Sequence, residues 1–263
     1  MEKSLVPGLE RGLKIIELLE KKREGLTFGE LLEVTGIPRP SLARILNILE
    51  SYDFIRNSID GRYRLGFKLL SLGYIVYSQL DLVREARPFL LKLVELTGET
   101  VELAVLDRGE ILYIDKIESP EPIRLVARIG SRYKTLHCTA IGKVFLAYSG
   151  EEFLKDYLSK VGLPPFTEKT ITSEEILRKE LEEIRSRGYA FDDEEVRLGV
   201  RRIASPVFGS FKGLVAVIGI AGPTFRITLD KKEELGEIVK EVAMRLSVKL
   251  GYESQISERS IKL

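Results

Sequence analysis

The sequence predicts an α+β chain in two unequal parts, on three observations. Residues 9–51 hold three segments with apolar residues at three- and four-residue steps, separated by Gly-centred breaks. Residues 54–65 alternate like two short strands around Asp60-Gly61. Beyond residue 98, strand-like and helix-like periods mix with connections of hairpin length, which favours an antiparallel sheet flanked by helices over a doubly wound parallel one. The division expected is 1–68 for the first part, a connecting helix over 69–87, a larger domain over 88–252 and a disordered tail over 253–263.

In the first part, Leu9, Leu13, Ile16 and Leu19 mark an amphipathic helix that Gly25 closes off. Thr27 and Glu30 have the spacing of a capping box, so a short second helix burying Phe28, Leu31 and Leu32 should begin there. Gly36-Ile37-Pro38 is a tight break, because glycine permits positive φ and Pro38 disfavours helix at Ile37. A third helix is expected from about Arg39 to Ser51, with Pro40 tolerated in its first turn. At 100° per residue, Leu42, Ile45, Leu46 and Leu49 share one side; Pro40, Arg44, Asn47 and Ser51 point the other way. Phe54–Asn57 and Arg62–Leu65 around Asp60-Gly61 are a strong hairpin signal. Three helices, a Gly-centred turn and a basic hairpin together make a winged helix-turn-helix.

From Leu69 to Thr97 the pattern is helical, with an interruption expected at Pro88. Strands are expected at Thr100–Leu106, Ile111–Ile117, Ile123–Ile129, Ile203–Phe208 and Leu214–Ala221. Helices are expected at Thr139–Tyr148, Glu151–Lys160, from Ser173 to Arg187-Gly188, and around Leu229–Leu250.

The 263 residues are 44% hydrophobic and 31% charged, which suits a globular protein with a real core. No apolar run reaches the length that spans a bilayer, and the first residues lack a secretory signal's apolar stretch, so a cytoplasmic protein with no membrane partner is expected. The single cysteine, Cys138, excludes an internal disulfide framework. Net charge is only +1, but residues 36–68 carry six basic side chains against three acidic ones, so the positive excess is local.

Enzymatic chemistry finds little support. The only histidine and the only cysteine, His137 and Cys138, are neighbours whose side chains splay apart in either regular conformation, which is poor geometry for a nucleophile–base pair. Ala140-Ile141-Gly142-Lys143 lacks the remaining residues of a phosphate loop, and zinc would have to rely on carboxylates. No catalytic residue, metal or cofactor is expected.

A helix in the major groove presents mainly its N-terminal residues to base edges, so Arg39, Pro40, Ser41 and Arg44 are the first candidates. Ala43 could touch a thymine methyl, and Asn47 lies deeper along the same side. Arg56, Arg62 and Arg64 on the hairpin, with Lys68, suit phosphates or a minor groove. A lone surface arginine is usually just a solvated charge; it is the clustering in this motif that argues for double-stranded DNA.

Several stretches, in order and at matching spacing, resemble the IclR-type family of transcription regulators over nearly the whole chain. They include Leu26-Thr27-Phe28-Gly29-Glu30-Leu31 through Gly36-Ile37-Pro38-Arg39-Pro40-Ser41, Ala86-Arg87-Pro88-Phe89-Leu90 and Thr97-Gly98-Glu99-Thr100-Val101. His137-Cys138-Thr139-Ala140-Ile141-Gly142-Lys143, Arg187-Gly188-Tyr189-Ala190 and Glu195–Pro206 continue the series. The resemblance implies a GAF-like effector domain, a homodimer or tetramer, and control of metabolic operons by a small-molecule effector, expected to be an organic acid. The alternative is a metabolite-binding protein that has lost sequence-specific DNA recognition.

The resemblance also implies where the effector sits. In relatives that bind small acids, backbone N–H groups at the positions of Ala140 and Ile141 hold a carboxylate, as a helix start can. The rest of that site matches an acidic residue at Asp192, an apolar one at Val200, a thiol at Arg202 and hydroxyls at Gly219 and Ala221, with Tyr133 in the neighbouring loop. Here both hydroxyls are gone and the thiol position is arginine. Arg202 either offers a guanidinium fork to a different acid or pairs with Asp192, Asp193 or a nearby glutamate.

Overall fold

A computed structural model describes residues 6–78, 81–125, 128–210 and 213–253. Contacts divide the chain into two units, Met1–Leu80 and Asp81–Leu263.

The first unit opens with α1 (Pro7–Lys21), whose first turn accommodates Pro7, followed by β1 (Leu26–Thr27) and α2 (Phe28–Thr35). The capping box forms: Thr27 Oγ1 accepts from the Glu30 N–H at 3.3 Å and the Glu30 carboxylate accepts from the Thr27 N–H at 2.7 Å. Gly36 closes α2 at φ 62°, a left-handed conformation that glycine adopts without a Cβ penalty. α3 (Arg39–Ser51) leads to β2 (Ile55–Asn57), β3 (Arg62–Leu65) and α4 (Phe67–Ser78). The three strands form an antiparallel sheet in the order β1-β3-β2. Ile15, Leu19, Leu31, Leu42, Leu46 and Ile55 form the centre of the core.

In the second unit, α5 (Asp81–Thr97) precedes the strands β4 (Thr100–Asp107), β5 (Glu110–Ile117) and β6 (Arg132–Tyr133). Three helices follow, α6 (Ala140–Tyr148), α7 (Glu151–Lys160) and α8 (Glu174–Arg187). Then come β7 (Ala190–Asp193), β8 (Val200–Phe208), β9 (Leu214–Pro223) and α9 (Lys232–Lys249). The strands make one antiparallel sheet in the order β6-β5-β4-β9-β8-β7. Successive side chains of a strand serve opposite faces. Ala104, Tyr113, Ala190, Ala204 and Val217 pack with α6 and α8. Leu103, Ile203 and Ile218 alternate with them, on the face covered by α5 and α9.

Two expectations are corrected. Pro88 does not interrupt the helix: α5 runs through it, because Val83, Ala86, Leu90 and Leu93 are buried on both sides of the missing N–H. The stretch 69–87 takes in the greater part of α4 and the first turns of α5, with residues 79 and 80 outside the described ones. Of the strand expected at 123–129, the described residues carry none; 126 and 127 lie outside them. Gly130 and Ser131 bond the Tyr113 backbone instead, so the edge pairing shifts to Arg132–Tyr133. The tail from residue 254 also lies outside the described residues.

α6 starts where it does because Gly142 is pressed against the preceding turn. A Cβ there would stand 2.2 Å from the Leu136 carbonyl oxygen. Gly142→Ala is therefore expected to cost about 1–3 kcal/mol through overpacking. This would be read as a lower urea midpoint at constant m-value; an unchanged midpoint would mean that the Leu136 turn gives way freely.

Candidate nucleic-acid interface and ligand site

Burial on α3 divides sharply. Leu42 and Leu46 are at most 1% exposed, whereas Arg39, Pro40, Arg44 and Asn47 are exposed and Ser41 and Ala43 are half-buried. Arg44 and Asn47 have no hydrogen-bond or ion-pair partner among the described residues. Arg39 lies over the Phe28 ring at 5.4 Å, a contact that braces it across the turn from α2. Arg11 on α1 donates a long hydrogen bond, 3.4 Å, to Ser41 Oγ. Sequence reasoning missed Arg11, since only the folded packing of α1 on α3 brings it to the start of α3.

The hairpin arginines differ among themselves. Arg56 is exposed and stacks on Phe67 at 4.7 Å. Arg62 Nη1 donates to the Gly25 carbonyl at 3.0 Å and to Glu30 at 3.1 Å. Arg64 grips Asp60 with two bonds, 3.0 and 2.7 Å, and that hydrogen bonding holds the Asp60 carboxyl down to about 2. Arg62 and Arg64 thus already serve the fold of the hairpin.

In the second unit the expected ligand residues come together on the α6 face of the sheet. Asp192, Arg202 and Ala221 form one cross-strand row that continues to Thr100. Ala190, Ala204 and Gly219 form the next, continuing to Glu102. Val200 is buried two residues before Arg202 on the same face. Arg202 Nη1 donates to Asp192 Oδ2 at 2.8 Å, and Asp192 Oδ1 accepts from the Glu195 N–H at 2.8 Å. The internal pairing of Arg202 is therefore present; its remaining N–H groups have no other hydrogen bond among the described residues. Gly219 cannot easily regain a hydroxyl side chain, because a Cβ there would meet the Ile203 carbonyl oxygen at 2.8 Å and the Ala204 Cβ at 3.1 Å.

At the start of α6, Thr139 Oγ1 accepts from the Gly142 N–H at 3.0 Å. The N–H groups of Ala140 and Ile141 are left without partners among the described residues, as the first turn of a helix leaves them. Tyr133, half-exposed, meets Tyr113 edge to face at 5.6 Å.

The remaining polar groups here are structural. The Tyr157 hydroxyl accepts from the Leu136 and His137 N–H groups, so its own proton goes to His137 Nδ1 at 2.7 Å. Nε2–H of His137 then donates to the Pro164 carbonyl at 3.1 Å, and burial lowers the imidazole pKa. Burial pushes the Cys138 thiol up to about 12, which removes it as a nucleophile. Buried Lys143 donates to the Phe191 carbonyl at 2.6 Å and to Glu195 at 2.5 Å.

On this sheet face, Glu102 is a group that sequence reasoning missed. It is 95% buried by its 5% exposure, and no hydrogen bond or ion pair reaches it among the described residues. Burial raises its pKa to about 7, against the pull of Arg202 and Lys116. The signal was a lone acid in the run Val101-Glu102-Leu103-Ala104-Val105, which no exposed strand face would require.

The comparisons with known proteins agree with this architecture. The IclR helix-turn-helix domain matches residues 8–58, and the bacterial transcriptional regulator IclR C-terminal domain matches residues 75–248. The chain belongs to the IclR family. It is 33% identical to the HTH-type transcriptional regulator XynR of Escherichia coli K12, over 94% of this chain and 98% of that one. It is also 33% identical to the acetate operon repressor of Salmonella typhimurium LT2, over 94% and 90%. Among solved structures, the Thermotoga maritima IclR superposes with a TM-score of 0.78 at 35% identity, covering 93% of this chain and 98% of that one. An IclR homologue of Microbacterium hydrocarbonoxydans complexed with 4-hydroxybenzoate gives 0.81 at 25% identity, covering 92% and 98%. This IclR-family chain is a DNA-binding transcriptional regulator and not an enzyme. Among the described residues, no helix is long and apolar enough to cross a membrane.

A carboxyl whose folded pKa is raised binds more protons in the folded than in the unfolded state, so its stabilising share is complete below its unfolded value and fades as pH rises through its folded one. Glu102 is expected to take stability away as pH rises from about 4.5, its unfolded value, to about 7, its folded one, with little further change above that. Thermal melts of wild type and Glu102→Gln across that range check this. Parallel curves for the two proteins would show that Glu102 stays ionised throughout.

Proposed function

We propose that this regulator binds a double-stranded operator as a homodimer through the bare side of α3, and that an organic acid held on the α6 face of the sensor sheet changes operator affinity. The observation that carries the DNA half is the freedom of Arg44 and Asn47 on a helix whose other side is anchored by buried Leu42 and Leu46. The acid half is supported by the two open N–H groups at the start of α6 and by the unbonded N–H groups of Arg202 on the sheet face that α6 packs against. The acetate operon repressor and the 4-hydroxybenzoate complex among the relatives favour the same class of effector. Operator and effector then alter each other's affinity by the same factor. A DNA partner also places the protein in the cytoplasm.

In this reading the reading head is 1–68, the connector 69–87 and the sensor 88–252. Arg39, Pro40, Ser41, Ala43, Arg44 and Asn47 face the groove, with Arg56 against a phosphate; Arg62 and Arg64 act on DNA only as far as their internal pairs allow. Tyr133, Ala140, Ile141, Asp192, Val200, Arg202, Gly219 and Ala221 surround the effector.

Arg44→Ala is expected to cost about 1–3 kcal/mol of operator binding and to relax base preference at one position. Arg56→Ala is expected to weaken all sequences alike and lower the salt slope by about 1. Titrations on an operator selected from a random pool separate the two; if Arg44→Ala leaves both affinity and selected sequence intact, α3 is not the reading helix.

Self-association is favoured by α4, an apolar helix with Leu70 and Tyr74 at 71% and 69% exposure. A groove of about 350 Å³ between α1 and α3, lined by Leu9, Leu13, Ile16, Ile48 and Tyr52, adds to it. Exposed apolar patches of this kind mark interaction surfaces. Light scattering is expected to give a dimer, or a tetramer made of dimers, and Leu70→Glu is expected to release monomer. A wild-type monomer at micromolar concentration would remove the dimer from the reading.

A further inference from the structure

An acid site that meets its ligand only through donors would need no buried carboxylate of its own, yet Glu102 stands on the same sheet face as Arg202 and Asp192. Cross-strand pairing puts Glu102 between Gly219 of β9, which carries no side chain, and Lys116 of β5. One strand further, Asp192 already holds Arg202 at 2.8 Å, so the guanidinium's contact is with Asp192 and Glu102 is left over. The groups that act on Glu102 and on its neighbour Tyr113 are Arg202 from β8, Asp192 from β7, Lys116 from β5 and Tyr133 from β6. Lys116 is itself bonded to Glu118 at 2.7 Å. Asp192, Glu102 and Glu118 stand against Arg202 and Lys116, so the group carries one excess negative charge when Glu102 is ionised.

An ordinary monoacid entering this lining adds a second negative charge to a buried carboxylate. It can do so only if Glu102 takes up a proton, or if the ligand brings a positive charge of its own. We propose that the sensor site takes an acid that also carries a cationic amine, its carboxylate meeting the Ala140 and Ile141 N–H groups and the open side of Arg202, its ammonium meeting Glu102. This rests on the reading of the α6 face as the effector site. The ammonium supplies the three donors that a bare buried carboxylate lacks, and its charge cancels the excess. Arg202 is held by Asp192, so Glu102 is the charge left for the ligand's ammonium, and the two together make a site for a zwitterion. Glu102 is then the residue that sets specificity.

The test is calorimetric titration of the full-length protein with two matched sets of probes. The first set is butyrate, gamma-hydroxybutyrate and gamma-aminobutyrate; the second is para-methylbenzoate, para-hydroxybenzoate and para-(aminomethyl)benzoate. In at least one set the amino member is expected to bind about tenfold or more tightly than its partners at about pH 8, the strength of a charge-assisted buried bond. Glu102→Gln is expected to abolish that preference, and Glu102→Asp, which keeps the charge, to retain part of it. A linked readout is proton uptake. Acids without the amine should bind wild type with heats that depend on the buffer's ionisation, and Glu102→Gln with heats that do not. Acids without the amine binding as tightly as the amino member, or a preference that survives in Glu102→Gln, overturns the assignment of Glu102 while leaving the acid site standing. Binding by no member of either set, with operator affinity also unmoved, removes the effector site itself and this proposal with it.

Discussion

Leu42 and Leu46 are buried to within 1% on one side of α3, while Arg44 and Asn47 stand in water on the other, and both conditions are met in a helix of 13 residues. Everything in the first unit follows from meeting both. The apolar side is held by α1 through Ile15 and by α2 through Leu31. The start of α3 is fixed by Gly36 in its left-handed conformation and by Arg39 braced on Phe28. Removing the buried pair would leave the bare side with nothing to orient it. The bare residues carry no such burden, and their freedom from internal partners is what a groove-entering surface requires.

The second unit solves a different problem, that of placing charges inside an apolar sheet. Asp192 is 0% exposed and stays tolerable because Arg202 and the Glu195 N–H both donate to it. Lys143 and Glu195 are a second buried pair, though Glu195 Oε2 remains without a donor. Such pairs seldom add net stability over apolar replacements. The opposite face holds buried charges as well, Asp115 with Arg87 of α5 and Arg201 with Asp193, so pairing is the common condition for charge on either side of this sheet. The close approach of Gly219 to β8 belongs to the same arrangement. Strand packing leaves no room there for a hydroxyl side chain.

Legibility in the sequence followed the range of the interactions concerned. The capping box at Thr27 and Glu30, the hairpin around Gly61 and the span of α3 depend on residues a few positions apart, and each could be read directly. Two-residue β1 could not, because it exists only through Tyr63 and Arg62, far along the chain. Strand β7 was missed for a related reason: Ala190, Phe191 and Asp192 are all buried, so no alternation marks them. Pro88 misled because local preference opposes helix there, while burial on both sides outweighs it. At the ligand site, the backbone donors and Asp192 came through the family resemblance. Glu102 did not, since its meaning depends on lacking a partner, and only packing reveals that.

The hairpin carries the argument from structure to selectivity one step further. A regulator must distinguish its operator from a large excess of other DNA, and contacts to phosphate raise both affinities together. Three basic side chains on the hairpin would suggest a strong non-selective term. Two of them are engaged within the chain: Arg64 by both oxygens of Asp60, and Arg62 by Glu30 and the Gly25 carbonyl. An arginine held in this way loses part of its attraction for phosphate while gaining a fixed position, so it shapes the hairpin more than it feeds non-specific binding. On the proposed reading the discriminating share then falls on Arg44 and Asn47, which have no competing partner among the described residues. On that reading a weak non-selective term also lets a modest effector-linked change in the reading heads matter, because affinity that rests mostly on bulk charge would be insensitive to where α3 lies.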